Sequence, residues 1–245
     1  MSEQKEKKKI VYYPGCAVMF WEPEIGKAAV RILERNGFEV LIPKHQCCGV
    51  AKASYGNFKA ARRDASKLVD ELHKFVKQGY DVLTACPSCG LAIKEEHPFL
   101  LKTEKSMEVA EKTYFFSEYL NKLHAKGQLN TSFKQMPLTV AYHAPCHLKA
   151  QGLGEESVKL LSLVPGLKVI DIDRGCCGMS GTAGFKHRHY ESSMTIGQSV
   201  FERVKELNVK LVATDCAGCE MQIGHGVDGG IEVTHPLIIL DKAYI

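Results

Sequence analysis

No stretch of the 245 residues approaches the roughly 18 consecutive apolar positions that a spanning helix needs, so no direct membrane span is expected. Charge of one sign is not in excess. The 32 Lys and Arg stand against 28 Asp and Glu, a formal net charge of +4, and without a domain-wide basic bias nucleic acid is not an expected partner. The opening MSEQKEKKKI has no apolar run behind its charges, so it does not read as a secretory signal, and the basic run at residues 5–9 reads as a solvated tail. A cytoplasmic location follows as the expectation, with any membrane association arising through a partner. Nucleotide fingerprints are missing as well. The glycine-rich GMSGTAG at residues 178–184 has neither G-x-G-x-x-G nor P-loop spacing, and it reads as backbone passing close to a bound group. Nothing matches the C-x2-C-x2-C-x3-C-P run of ferredoxins.

What the chain has is cysteine, ten in all. A small exported scaffold would use ten as disulfides, but this chain is long enough to bury one large core or two small ones. In a reducing compartment clustered cysteines are metal ligands or redox groups. Their positions organise everything else. Cys146, Cys216 and Cys219 follow Cys16, Cys86 and Cys89 by 130 residues, and Cys176 and Cys177 follow Cys47 and Cys48 by 129. Tyr12 and Tyr142, Gly49 and Gly178, and Thr84 and Thr214 repeat with them. The chain is two similar halves, expected as domains 1–127 and 136–245, with the polar residues 128–135 between them.

Apolar runs at residues 10–13, 38–42 and 81–85 predict strands, each leading to a cysteine group. Helices are expected between them, one carrying Ile25, Ala28, Ala29, Ile32 and Leu33 on one face and one carrying Ala61, Ala65, Leu68, Val69, Leu72 and Val76. Residues 138–142, 168–172 and 210–214 repeat the strand order in the second half. Val109, Thr113, Phe116, Leu120 and Leu123 keep helical spacing and predict one packing helix ended by Gly127. Alternating strands and helices give an α/β class with a small parallel sheet in each half, and with the cysteines at the carboxyl ends of the strands, where open sheets bind ligands.

Thiolates suit zinc, copper(I) and iron–sulfur clusters. Structural zinc takes four ligands, and so does an ordinary four-iron cube. Each half offers five cysteines, with a vicinal pair better suited to two metal atoms of one cluster than to a single ion. A structural zinc protein stays as an alternative, with the fifth cysteine against it. His143 and His147 flank Cys146, and His45 precedes Cys47. As catalytic candidates His143 and His147 can supply a proton to a leaving thiolate, though a hydrogen bond to a carbonyl or a cluster sulfur is the reading preferred. Lys44, Lys149, Arg174 and Lys186 lie near the motifs and read as ordinary surface charge.

The pattern of a single Cys, then CCG, then CxxC, twice over, resembles the CCG (cysteine-rich) domain family. That family includes the B subunit of heterodisulfide reductase and the C-terminal part of the C subunit of anaerobic glycerol-3-phosphate dehydrogenase. AYHAPCH, CCGMSGTAGFK, TDCAGC and THPLIIL are especially similar to the latter. The resemblance implies two non-cubane [4Fe-4S] clusters. Cys16, Cys47, Cys48, Cys86 and Cys89 would hold one, and Cys146, Cys176, Cys177, Cys216 and Cys219 the other, with zinc in one half as a variant. It implies thiol/disulfide redox chemistry as an oxidoreductase subunit, or electron transfer as a non-catalytic subunit of a flavin-dependent dehydrogenase. The partners implied are a ferredoxin-like iron–sulfur subunit and a flavoprotein subunit, with a disulfide or thiol as substrate. The two cysteine groups are expected to face one cleft.

Overall fold

A computed structural model describes residues 8–227 and 229–245. The first half runs β1 (Lys8–Tyr12), α1 (Gly15–Phe20), α2 (Pro23–Arg35), β2 (Phe38–Leu41), α3 (Val50–Ser54), α4 (Phe58–Val76), β3 (Val82–Thr84) and α5 (Pro87–Leu91). A π turn (Ala92–Glu96) then leads into α6 (His97–Leu101), α7 (Glu104–Glu111), β4 (Thr113–Phe115) and α8 (Phe116–Ala125). The second runs β5 (Thr139–His143), α9 (Cys146–Ala150), α10 (Glu156–Leu161), β6 (Lys168–Asp171), α11 (Tyr190–Glu206), β7 (Leu211–Thr214), α12 (Ala217–Gly226), β8 (Glu232–Thr234) and α13 (Pro236–Ala243).

Among the described residues the strands form two four-stranded parallel sheets, ordered β2-β1-β3-β4 and β6-β5-β7-β8. The same order twice is the structural form of the cysteine repeat. Strand alternation sorts the side chains. Ile10 and Tyr12, with Val140 and Tyr142, enter one core shared by both halves. Val11 and Tyr13 enter a separate core under α4, and Ala141 one under α11. α2, α8, α10 and α13 supply most of the rest of the shared core, so they lie between the sheets. α2 packs on α13 and α8 on α10, the exchange a pseudo-two-fold axis produces. Arg31 and Arg35 both reach Asp241 across that contact, at 2.7 and 2.5 Å.

The five apolar residues expected on α2 are all buried, and Asn36 closes the helix by donating to the Ile32 carbonyl at 2.8 Å. Two expectations change. The single helix proposed around residues 109–127 is broken by β4: Thr113 Oγ1 donates to the Val109 carbonyl at 2.6 Å, ending α7, and Thr113–Phe115 pairs with β3. A three-residue strand fits inside a helical spacing pattern, so periodicity did not separate them. Its counterpart β8 likewise carried no signal. Of the basic run, Lys8 and Lys9 are the first residues of β1, paired with Phe38 and Glu39, while residues 5–7 lie outside the described residues. The segment 128–135 is tied down: Leu129 and Phe133 are buried, and the Lys134 amide donates to the Ala243 carbonyl at 2.9 Å. No helix among the described residues is long and apolar enough to cross a membrane.

Candidate metal centres

Parallel pairing puts the carboxyl ends of all the strands of a sheet on one edge, and every cysteine group follows such an end. Cys16 lies in α1, just past β1. Cys47 and Cys48 lie on the connection from β2 to α3. Cys86 caps α5 and Cys89 lies in its first turn, with Pro87 at the start, where a missing amide hydrogen costs nothing. Cys146, the Cys176–Cys177 pair, and Cys216 with Cys219 take the same places around α9, the connection from β6 to α11, and α12.

The glycine of each CCG has a backbone reason. Gly49 has φ +83 and Gly178 φ +96, the left-handed region where a side chain is strained. A Cβ on Gly49 would lie 2.9 Å from the Ala61 carbonyl oxygen, and one on Gly178 1.9 Å from that of Ser193. The turn lets the glycine amide donate back to the first sulfur of the pair, at 3.4 Å for Cys47 and 3.3 Å for Cys176.

All ten cysteines carry free sulfurs, and they converge in two fives. In the first, the Cys48 and Cys89 sulfurs are 3.5 Å apart, Cys47 hydrogen-bonds with Cys16 and Cys48, and Cys86 with Cys89. In the second, the Cys177 and Cys219 sulfurs are 3.3 Å apart, Cys176 hydrogen-bonds with Cys146 and Cys177, and Cys216 with Cys219. Protons are unevenly shared. Cys47 is held down to about 2 by the hydrogen bonds of Cys16 and then Cys48, and Cys176 to about 2 by those of Cys146 and then Cys177. Their neighbours go the other way: Cys177 rises to about 12, first through Cys176, and Cys16 and Cys146 are raised by their own bonds to the favoured thiolates. Cys216 falls to about 7 through Cys219, helped by the Cys219 and Gly218 amides at the start of α12.

Five sulfurs this close cannot all ionise alone, because each anion repels the next. Metal cations among them remove that limit. Five soft donors also exceed what one tetrahedral ion takes, so the donor set fits a cluster of several metal atoms.

The two groups meet. One cavity of about 240 Å³ is lined by all five cysteines of the first half together with Cys216, Ser88 and His147. A smaller space of about 50 Å³ is lined by the five of the second half, again with Ser88 and His147. The expectation is one shared cleft; the structure has two spaces with Cys216, Ser88 and His147 in common. Trp21 and Phe185, from opposite halves, wall the larger cavity with ring centroids 5.8 Å apart. Gly181 and Thr182 of the glycine-rich segment line it too.

The candidate histidines separate. His147 lines both spaces, and its Nδ1 lies 2.6 Å from Ser88 Oγ across the halves. His143 is buried, and its ring nitrogen and the Cys177 and Cys219 sulfurs all lie within 4.8 Å of one another. Burial, then Lys149, holds its pKa down to about 4, so the ring is neutral. His45 Nε2 is 3.6 Å from Cys16 Sγ, with the ring stacked on Tyr13. Among the basic candidates, Lys186 lies over the Tyr55 ring at 4.1 Å and Lys149 donates to the Arg174 carbonyl at 3.3 Å. The Lys44 amide donates to Glu71, and Arg174 donates to the Asp173 carbonyl.

Sequence reasoning missed Asp215. Its buried carboxylate accepts from Tyr142 at 2.5 Å and from Ser157 at 2.8 Å, and Ser157 meets Ser117 of the first half at 2.8 Å. Burial raises its pKa. The signal was present: the second half reads Thr-Asp-Cys where the first reads Thr-Ala-Cys.

A family model described as a cysteine-rich domain, CCG, matches residues 10–94 and again 140–224. The C subunit of anaerobic glycerol-3-phosphate dehydrogenase from Escherichia coli strain K12 is 30% identical over 239 residues, 97% of this chain and 59% of that protein. The B subunit of the fumarate reductase (CoM/CoB) from Methanothermobacter marburgensis is 29% identical over 96% of this chain and 46% of that protein. The D subunit of the dihydromethanophenazine:CoB–CoM heterodisulfide reductase from Methanosarcina barkeri is 30% identical over 91% of this chain and 55% of that protein. The chain thus spans about half the length of the curated relatives it matches.

Proposed function

This chain belongs to the cysteine-rich CCG domain family, and from that premise we propose that it is the iron–sulfur subunit of a heterodisulfide-reductase-like complex, with one non-cubane [4Fe-4S] cluster in each half. Cys16, Cys47, Cys48, Cys86 and Cys89 hold the first, and Cys146, Cys176, Cys177, Cys216 and Cys219 the second. The observation that carries this reading is the convergence of two five-cysteine groups on two spaces that share Cys216, Ser88 and His147 as lining. A lone zinc ion in each half leaves one sulfur without a role.

Breaking a disulfide takes two electrons and two protons and releases two thiols. When bound, the clusters supply the electrons. The chain supplies the place and the protons. Trp21 and Phe185 narrow the cavity from opposite halves and keep its walls apolar, which limits water around a reacting sulfur. His147 lines the cavity beside Ser88, and it holds a proton within reach of a leaving thiolate. His143 is buried against Cys177 and Cys219 and is not placed for that role.

The test is metal analysis of anaerobically purified protein, with about eight irons per chain expected from two four-iron clusters. Zinc in both halves excludes the redox reading. Zinc in one half leaves one cluster and removes the shared two-electron site.

A second reading, a non-catalytic electron-transfer subunit of a flavin-dependent dehydrogenase, is favoured by one observation. Phe58 and Phe99 are exposed and line one surface hollow with Leu100, on α4 and α6, which follow cysteines of the first half. Such a patch fits a docked ferredoxin-like or flavoprotein subunit. Reduced protein that reacts with no disulfide, yet passes electrons to a flavoprotein, selects this second reading.

A further inference from the structure

The two halves use the same devices at the same places, which makes their differences informative. Both CCG glycine amides donate to the first sulfur of the pair, and both CxxC motifs open a helix. They differ at the residue just past β1 and its counterpart at the end of β5. In the first half it is Tyr13, in the cluster that contains Cys48 and Cys89. In the second half, 130 residues on, it is His143, beside Cys177 and Cys219.

The two side chains can do different things. The Tyr13 hydroxyl donates to the Gln46 carbonyl at 2.7 Å, so its one proton is spent on the backbone. His143 is 2% exposed and sits with a nitrogen within 4.8 Å of both sulfurs. A buried imidazole N–H beside thiolate sulfurs stabilises the added negative charge of a reduced centre, and burial leaves that interaction unscreened by solvent.

We propose that His143 is an N–H partner of the second centre, donating to the Cys177–Cys219 sulfur pair, so that the two centres are chemically inequivalent and the second owes part of its reduction potential to this ring. The inference rests on the cluster reading above. His143 is a positioning and tuning residue here, not a proton donor to substrate. The first centre has a histidine too, but His45 meets a different sulfur, Cys16, from a partly exposed loop.

The experiment uses the full chain purified anaerobically, with ¹⁵N-labelled histidine, in three forms: wild type, His143→Leu and His143→Gln. Iron is counted first. Wild type without iron overturns the cluster reading itself, and is recognised before any other measurement. With iron present, pulsed EPR is expected to show a weak imidazole nitrogen coupling at one of the two centres that disappears in His143→Leu. A redox titration of the same variant is expected to show one transition moved to more negative potential and the other unmoved. His143→Gln, which keeps an N–H donor, is expected to recover part of that shift, and it carries the test if the Leu variant loses iron. A coupling that survives in His143→Leu and is lost only in His45→Leu overturns the proposal. So do two transitions that move together, or neither moving.

Discussion

Ser88 Oγ and His147 Nδ1 lie 2.6 Å apart, and they join the CxxC of one half to the residue after the single cysteine of the other. Gln151 reinforces the contact, donating to the Pro87 carbonyl at 3.2 Å and to that of His147 at 2.6 Å. Ser88→Ala is expected to cost about 1 kcal/mol of stability, the net worth of one such hydrogen bond. His147→Phe is expected to slow the reaction of reduced protein with a disulfide by on the order of 10²-fold, while iron content stays at the wild-type level. Stopped-flow absorbance at the cluster bands checks the rate. A His147→Phe rate equal to wild type removes His147 from proton supply.

Gly178→Ala is expected to empty the second centre and spare the first. The added Cβ would lie 1.9 Å from the Ser193 carbonyl, on backbone that L side chains rarely adopt. About half of the wild-type iron should remain. Gly49→Ala meets its nearest backbone oxygen at 2.9 Å and should be the milder change. Iron per chain in the two variants decides the order.

Asp215→Ala leaves the Tyr142 and Ser157 hydroxyls without their shared acceptor, while the Ser157–Ser117 contact across the halves loses the group that orients it. A loss of about 3 kcal/mol is expected, because a buried network broken at one member leaves the others unpaired. Denaturant unfolding measures it. A double-mutant cycle with Tyr142→Phe should give a coupling of about 1 kcal/mol or more, and an additive pair would mean that the short contact contributes little.

Phe20 and Phe99 are each 75% exposed, more than any other large apolar side chain among the described residues except Ile245. The double variant Phe20→Ser, Phe99→Ser is expected to keep its iron and its stability and to lose co-purification with an electron-donating subunit. Unchanged co-purification from native cells places the docking face elsewhere.

The sequence alone determined the duplication, the parallel α/β class and the order of the strands that carry cysteines. Their signals are local. Apolar runs, helix faces such as Ile25, Ala28, Ala29, Ile32 and Leu33, and motif spacing need no knowledge of what packs against them. β4 and β8 stayed hidden because a three-residue strand is defined by its neighbour β3 or β7, not by its own pattern. Only the tertiary structure decided that the halves share one core, with α2 on α13 and α8 on α10, and that their cysteine edges line two spaces with Cys216, Ser88 and His147 in common. It alone parted two histidines that sit four residues apart, placing His147 at the cavity beside Ser88 and His143 against Cys177 and Cys219. The physical reason is that strand alternation fixes which face a side chain takes, while its partners there come from residues tens of positions away, brought in by the crossover connections of a parallel sheet.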